Sequence, residues 1–185
     1  NKDLFFCLNA NIYETLKDDY NDKYEYILPE ITLDKNLTNN RKFGNLGFQT
    51  NLKVHNYDTN KLNSFFVNDI NWRSNNIISK FGFNSNILGN IKNINYDSKN
   101  DIEFKNEPTS ELFGTLGYLT DLSLRKTNGL NKHFLTPKML LRYSPGSMIK
   151  EKSGSRLNPT TAFDLSRLNK INNFETGLTS TLGFD

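Results

Sequence analysis

From residue 45 to residue 54 the chain alternates without a lapse: Leu46, Phe48, Thr50, Leu52 and Val54 interleave with Asn45, Gly47, Gln49, Asn51 and Lys53. Only an extended chain, whose side chains point by turns to opposite faces of a sheet, sorts such a sequence into one oily row and one polar row. The same period of two returns over 112–125. There Leu112, Gly114, Leu116, Tyr118, Thr120, Leu122 and Leu124 oppose Thr115, Gly117, Asp121, Ser123 and Arg125, while Phe113 and Leu119 intrude on the polar row. It returns again over 174–185, where Phe174, Thr176, Leu178, Ser180, Leu182 and Phe184 alternate with Glu175, Gly177, Thr179, Thr181, Gly183 and Asp185. Weaker segments at 4–14, 24–34, 65–73, 78–94, 134–143 and 161–168 read as further strands. Turn-forming stretches such as Asn56-Tyr57-Asp58-Thr59-Asn60, Asn128-Gly129 and Ser144-Pro145-Gly146-Ser147 punctuate them. Apolar residues at three-and-four spacing are not sustained, so helices are not expected. The fold class predicted is all-β, an antiparallel meander of about nine strands.

What the oily row packs against is the next question, and composition bears on it. The apolar share is 36%, below the roughly 45 to 50% usual for globular chains, yet the aromatic share is 12%. The polar row is rich in Asn, Gly, Ser, Thr and Gln, which suit a water-filled or polypeptide-filled interior, and Lys and Arg are expected mainly toward strand ends. Strand plus turn recurs at roughly 20 residues, longer than the spacing of sandwiches and suited to strands of about 10 residues that cross a hydrocarbon layer. No run approaches the roughly 18 apolar residues of a membrane helix. The reading is therefore part of a transmembrane β-barrel of the cell outer membrane. Leu46, Phe48, Leu52, Val54, Leu116, Tyr118, Leu122, Leu124, Leu178 and Leu182 would face membrane lipids, and Gln49, Asn51, Asp121, Arg125, Glu175 and Thr179 would face the lumen. Tyr24, Tyr26, Tyr57, Trp72, Tyr96 and Tyr143 fit an aromatic girdle. The connections 95–108 and 145–159 are expected in water. Pro29 and Pro137, unable to donate to a ladder, predict a bulge or weakened pairing. An open sheet edge in hydrocarbon leaves unpaired backbone groups, so these strands would have to close or borrow neighbours.

Residues that could carry chemistry are sparse. The 23 basic and 20 acidic residues leave a formal charge of +3 and are scattered, which gives no footprint for nucleic acid. Cys7 is the only cysteine, so it makes neither an internal disulfide nor a multi-cysteine zinc site, and it reads as an apolar strand residue. His55 and His133 lack partners at any catalytic spacing and read as solvated strand-end residues. Gly44, Gly47, Gly82, Gly89, Gly114 and Gly117 fall in strand patterns and suggest curvature or close interior packing rather than a nucleotide loop. The acidic stretches near Asp18 and Asp97 lack the ligand spacing of a calcium site. No enzyme, cofactor or metal site is expected.

The stretches Tyr26-Ile27-Leu28-Pro29-Glu30, 133–145 and 162–177 resemble, in that order, the barrel of the lipopolysaccharide-assembly LptD family, also known as organic-solvent-tolerance (OstA) proteins. Tyr26-Ile27-Leu28-Pro29-Glu30 is similar to the family's "Y-x-L-P-E" segment. His133-Phe134-Leu135-Thr136-Pro137-Lys138 with Leu141-Arg142-Tyr143-Ser144-Pro145 resembles its "L-x-P" strand and following loop. Ala162-Phe163-Asp164-Leu165-Ser166-Arg167-Leu168-Asn169 with Asn173-Phe174-Glu175-Thr176-Gly177 resembles its "N-x-F-S-L-N-R" and "D-x-x-E-x-G" segments. The resemblance implies that residues 1–185 are an internal piece of such a barrel domain, without a signal peptide or periplasmic domain. It implies transport of lipopolysaccharide into the outer leaflet, with an LptE-type plug lipoprotein and a periplasmic LptA-type bridge as partners. Cys7 matches none of the family's cysteines. A diffusive porin or receptor barrel, or a soluble extracellular β-sandwich that binds a ligand, are the alternatives.

Overall fold

In a computed structural model the described residues are 3–17, 21–102, 104–129, 131–146, 158–168 and 174–185. They form an all-β, wholly antiparallel structure. The strands are β1 (Leu4–Glu14), β2 (Tyr24–Asn40), β3 (Gly44–Tyr57), β4 (Leu62–Arg73), β5 (Ile77–Ile78), β6 (Phe83–Lys99), β7 (Thr109–Leu122), β8 (Leu124–Asn128), β9 (Asn131–Leu135), β10 (Pro137–Ser144) and β11 (Gly177–Phe184). The main sheet runs β1-β2-β3-β4-β6-β7-β10-β11, with β5 paired to β6. Among the described residues β1 and β11 each pair on one side only, so the sheet does not close on itself.

Three interruptions explain why there are more strands than hairpin arms. Leu124 faces Leu135 and Asp121 faces Lys138 in one unbroken hairpin register, so β7 with β8 and β9 with β10 are two arms of a single long hairpin. The arms are nicked where Thr136 exchanges both backbone hydrogen bonds with Asp185. β5 continues β4 past a bulge, where Ser74 donates through both its N–H to Ile87 O and accepts at Oγ from Ile87 N–H. At Pro29 the register slips against both neighbours, between Ile27 and Glu30 toward β3 and between Asn9 and Asn11 toward β1, as a residue without an N–H requires. Pro137 begins β10 and is paired to Phe184 but not to β7.

Several expectations need correction. Residues 161–168 are not a strand: Asn158 caps a 3-10 turn at Pro159–Thr161, accepting from Thr160 N–H, and the chain then turns without a ladder partner. The last strand starts at Gly177, whose φ of +102 ends the alternation begun at Phe174, so Phe174 does not share a face with Leu178. The stretch 78–94 is split by the turn at Gly82. The connection 95–108 is not all in water, because Asn95 to Lys99 extend β6, Asp101 is buried and Phe104 packs against Phe65 and Tyr96. Most of 145–159 and the acidic pair at 18–19 lie outside the described residues.

The two faces of the sheet have opposite fates. Residues 158–168, with Phe174 and Glu175, lie across the polar face of β6, β7, β10 and β11, and that face is buried beneath them. Nothing among the described residues lies on the other face.

Candidate functional site

The covered face is built from the polar rows. Cross-strand pairing brings Thr32, Asn51, Val67, Ile94 and Glu111 into one line and Asp34, Gln49, Asp69, Lys92 and Phe113 into the next. Amides dominate because side-chain pairs directly across a ladder can exchange hydrogen bonds. Thr32 Oγ1 donates to Asn51 Oδ1 at 3.0 Å. Asn71 Nδ2 donates to Asp69 Oδ1 at 3.0 Å, and Asn90 Nδ2 donates to Asn71 Oδ1 at 2.8 Å and to Asp69. Lys92 Nζ lies 3.4 Å from Asp69 Oδ2, so a buried cation has a buried counter-ion. Arg73 Nη2 donates to Asn86 Oδ1 at 2.9 Å. This network satisfies most of the groups it contains, each of which would cost about 1 to 3 kcal/mol if buried alone, while Asn90 Oδ1 within it has no protein partner among the described residues.

Two small apolar clusters sit within the polar face where the overlying segment touches it. Val67, Ile94, Tyr96 and Phe113 hold Phe174, with Phe65 and Phe104 at the margin, and Phe113 stacks on Phe174 at 4.8 Å between centroids. Leu88 and Leu140 hold Leu165, with Leu119 and Phe163 alongside. Arg142, only 1% exposed, donates from Nε to Leu165 O at 2.7 Å and from Nη2 to Glu175 O, and lies over the Phe174 ring. Arg167 pairs with both carboxylate oxygens of Glu175 and donates from Nη1 to Thr181 Oγ1 at 3.0 Å. Beside this segment a cavity of about 820 Å³ remains, lined among others by Gln49, Asn51, Asn71, Asp121, Lys138 and Phe163. Asp164, on its rim, has its carboxyl pushed above the ordinary value by partial burial.

The bare face is the inverse. Leu112, Leu116, Leu178 and Leu182 are 72, 63, 69 and 75% exposed, against 3 and 4% for Asn90 and Lys92. Soluble monomers rarely expose contiguous apolar patches beyond a few hundred Å². Here such side chains cover the face of all eight main strands. The apolar belt also slants. One hydrogen-bond row reads Leu8, Ile31, Leu52 and Phe66, then turns polar at Asn95 and Ser110. The row through Phe48, Ile70 and Ile91 is polar instead at its β2 position, Lys35. On β6 the bare-face residues Phe83, Ile87 and Ile91 are apolar, whereas Asn93, Asn95 and Asp97 beyond them are not. The belt thus shifts along the strands from β1 toward β11.

Of the residues singled out from sequence, Leu46, Phe48, Leu52, Val54, Leu116, Tyr118, Leu122, Leu178 and Leu182 lie on the bare face by register, and Gln49, Asn51, Asp121 and Thr179 on the covered face. Leu124 and Arg125 lie on the exposed β8–β9 hairpin beyond the main sheet, where Arg125 stacks over Phe134 and does not line the cavity. Glu175 holds Arg167 at the foot of β11. Tyr96 and Tyr57 leave the proposed girdle: Tyr96 is buried in the cluster with Phe65, and Tyr57 stacks on His55. His55 is not a solvated end residue either, being half-buried on the covered face against Glu25. Lys92 and Arg142, both buried, were missed under the expectation of basic residues at strand ends. Both fall within two residues of the expected strand ends at 94 and 143, so the sequence carried no signal that set them apart. Among the described residues no group of His, Cys, Asp and Glu is placed to hold a metal ion, and no helix is long and apolar enough to cross a membrane. No family model and no curated protein matches this sequence.

Proposed function

We propose that this chain is part of the wall of an outer-membrane β-barrel that moves lipopolysaccharide into the outer leaflet. The observation that carries the barrel reading is the slanted, exposed apolar belt backed by a buried polar face. A sheet closed into a barrel tilts its strands about 35 to 45° from the axis, so a band level with the bilayer must cross hydrogen-bond rows obliquely. A soluble sandwich would bury the belt and wet the amides, the reverse of what is found. β1 and β11, each with one unpaired edge, would join further strands of the wall. The bare face then meets membrane lipids, and the amide-lined cavity meets the lumen.

The lipopolysaccharide role rests on the resemblance of residues 26–30, 133–145 and 162–177 to the LptD family, together with a polar interior that offers amide and charged groups to a sugar-rich, anionic headgroup. An LptE-type plug lipoprotein would occupy the lumen, and a periplasmic LptA-type bridge would deliver cargo. A photo-crosslinking residue placed at Gln49 or Asn71 of the full protein in Gram-negative cells should capture lipopolysaccharide, and one at Leu112 should capture membrane lipid. Lipid capture at Leu112 with no lipopolysaccharide adduct at Gln49 or Asn71 would leave a porin or receptor barrel. Absence of both, with the protein in the soluble fraction, would return the chain to the soluble sandwich.

A further inference from the structure

We propose that residues 158–168, with Phe174 and Glu175, form a fixed internal barrier that closes the β6–β11 side of the lumen to passive solute flow. The inference rests on the barrel reading and goes beyond it. The segment is seated in sockets made for it. A Cβ added at Gly117 would stand 2.5 Å from Leu165 Cδ2, and one added at Gly183 would stand 2.9 Å from Phe163 Cζ, so these two strand glycines leave the space that two apolar side chains fill.

The fastening is distributed over three strands, polar on β10 and β11 and apolar on β7. Arg142 of β10 holds the backbone oxygens of Leu165 and Glu175, the Arg167–Glu175 ion pair staples the ends of the segment together, and Arg167 reaches Thr181 of β11. Within the segment Thr161 Oγ1 donates to Arg167 O at 2.9 Å. Gly117 of β7 completes the set. Swinging the segment away would give up these hydrogen bonds and expose Phe163, Leu165 and Phe174 to water, a cost that no other contact among the described residues offsets. That cost marks a standing barrier and not a lid.

The test is single-channel conductance of the full protein in planar bilayers, with gel mobility before and after heating as the check on folding. Wild type should insert and conduct little. Gly117→Leu, which ejects Leu165, and Arg142→Met, which frees the two carbonyls, should insert as well and conduct severalfold more. Variants that insert and conduct as wild type does would overturn the proposal, and so would a wild type that already behaves as an open pore. A wild type that never inserts would remove the barrel reading and the barrier with it. Should both variants fail to fold, thiol labelling decides the matter. In a Cys7→Ser background Leu165→Cys should resist a membrane-impermeant maleimide that labels Phe81→Cys in its exposed turn, and equal labelling of the two would overturn the barrier.

Discussion

The β1–β2 wing and the β6–β7–β10 centre are both two-faced sheet, the wing with the weaker alternation, and they differ in what their inner faces achieve. In the centre the polar row is sealed: Asn86, Asn90, Lys92, Thr115 and Arg142 are all buried. In the wing β1 is exposed or nearly so along its whole length, with Phe5 and Phe6, which point to opposite faces, both 59% exposed. The difference lies in the overlying segment and the neighbours as well as in the strands, since β1 places Phe5, Cys7 and Tyr13 on its inner row. Alternation assigns a residue to a face; it does not say whether that face will be covered. Where cover exists, the polar row is breached by apolar residues that receive it, and where none exists, it is not so packed.

The contrast can be attacked by substitution, beginning where the largest effect is expected. Phe174→Ala removes the ring by which the overlying segment stacks on Phe113 and should cost about 3 to 5 kcal/mol in urea unfolding from lipid vesicles. A cost as small as that of a surface change would mean the centre is not packed as described. Next, Leu122→Arg on the bare face should cost about 2 to 4 kcal/mol if it lies near the bilayer midplane. Thr32→Ala, which deletes the hydroxyl bonded to Asn51 in the wing, should cost about 1 kcal/mol. Smallest of all, Phe5→Ala at the edge should stay within about 0.5 kcal/mol while the outer edge of β1 has no partner strand. A large loss at Phe5 in the full protein would show that the wing is covered there by strands or a partner.

Much of this architecture was legible in the residues. Segments 45–54 and 112–122 alternate clearly enough that both their strand state and their faces follow from the period, whereas Leu124 and Arg125, read as part of the same row, lie on the separate β8–β9 hairpin; Pro29 announced its bulge because a missing N–H cannot be disguised. The segment at 161–168 reads as a strand because Phe163 and Leu165 mimic an apolar row; what they do is fill sockets on other strands, and a socket at Gly117 is defined by a partner distant in sequence. The intrusions of Phe113 and Leu119 on a polar row were visible as irregularities. Their meaning, a landing place for Phe174 and for the Leu165 cluster, required the fold. The buried Arg142 was hidden for the same reason, since its acceptors are backbone oxygens that no sequence pattern records.

The slant of the apolar belt is the claim on which the barrel reading turns, and one paired measurement reaches it. Leu52 and Asn95 occupy the same hydrogen-bond row of the same face, two strands apart. Arginine placed at each in turn, with folding free energy measured in lipid vesicles, should cost about 2 to 4 kcal/mol at Leu52 and about 0 to 1 kcal/mol at Asn95, because only Leu52 falls within the oblique band. Equal costs at the two positions would mean that the row lies level in its surroundings, and a tilted barrel wall would be ruled out.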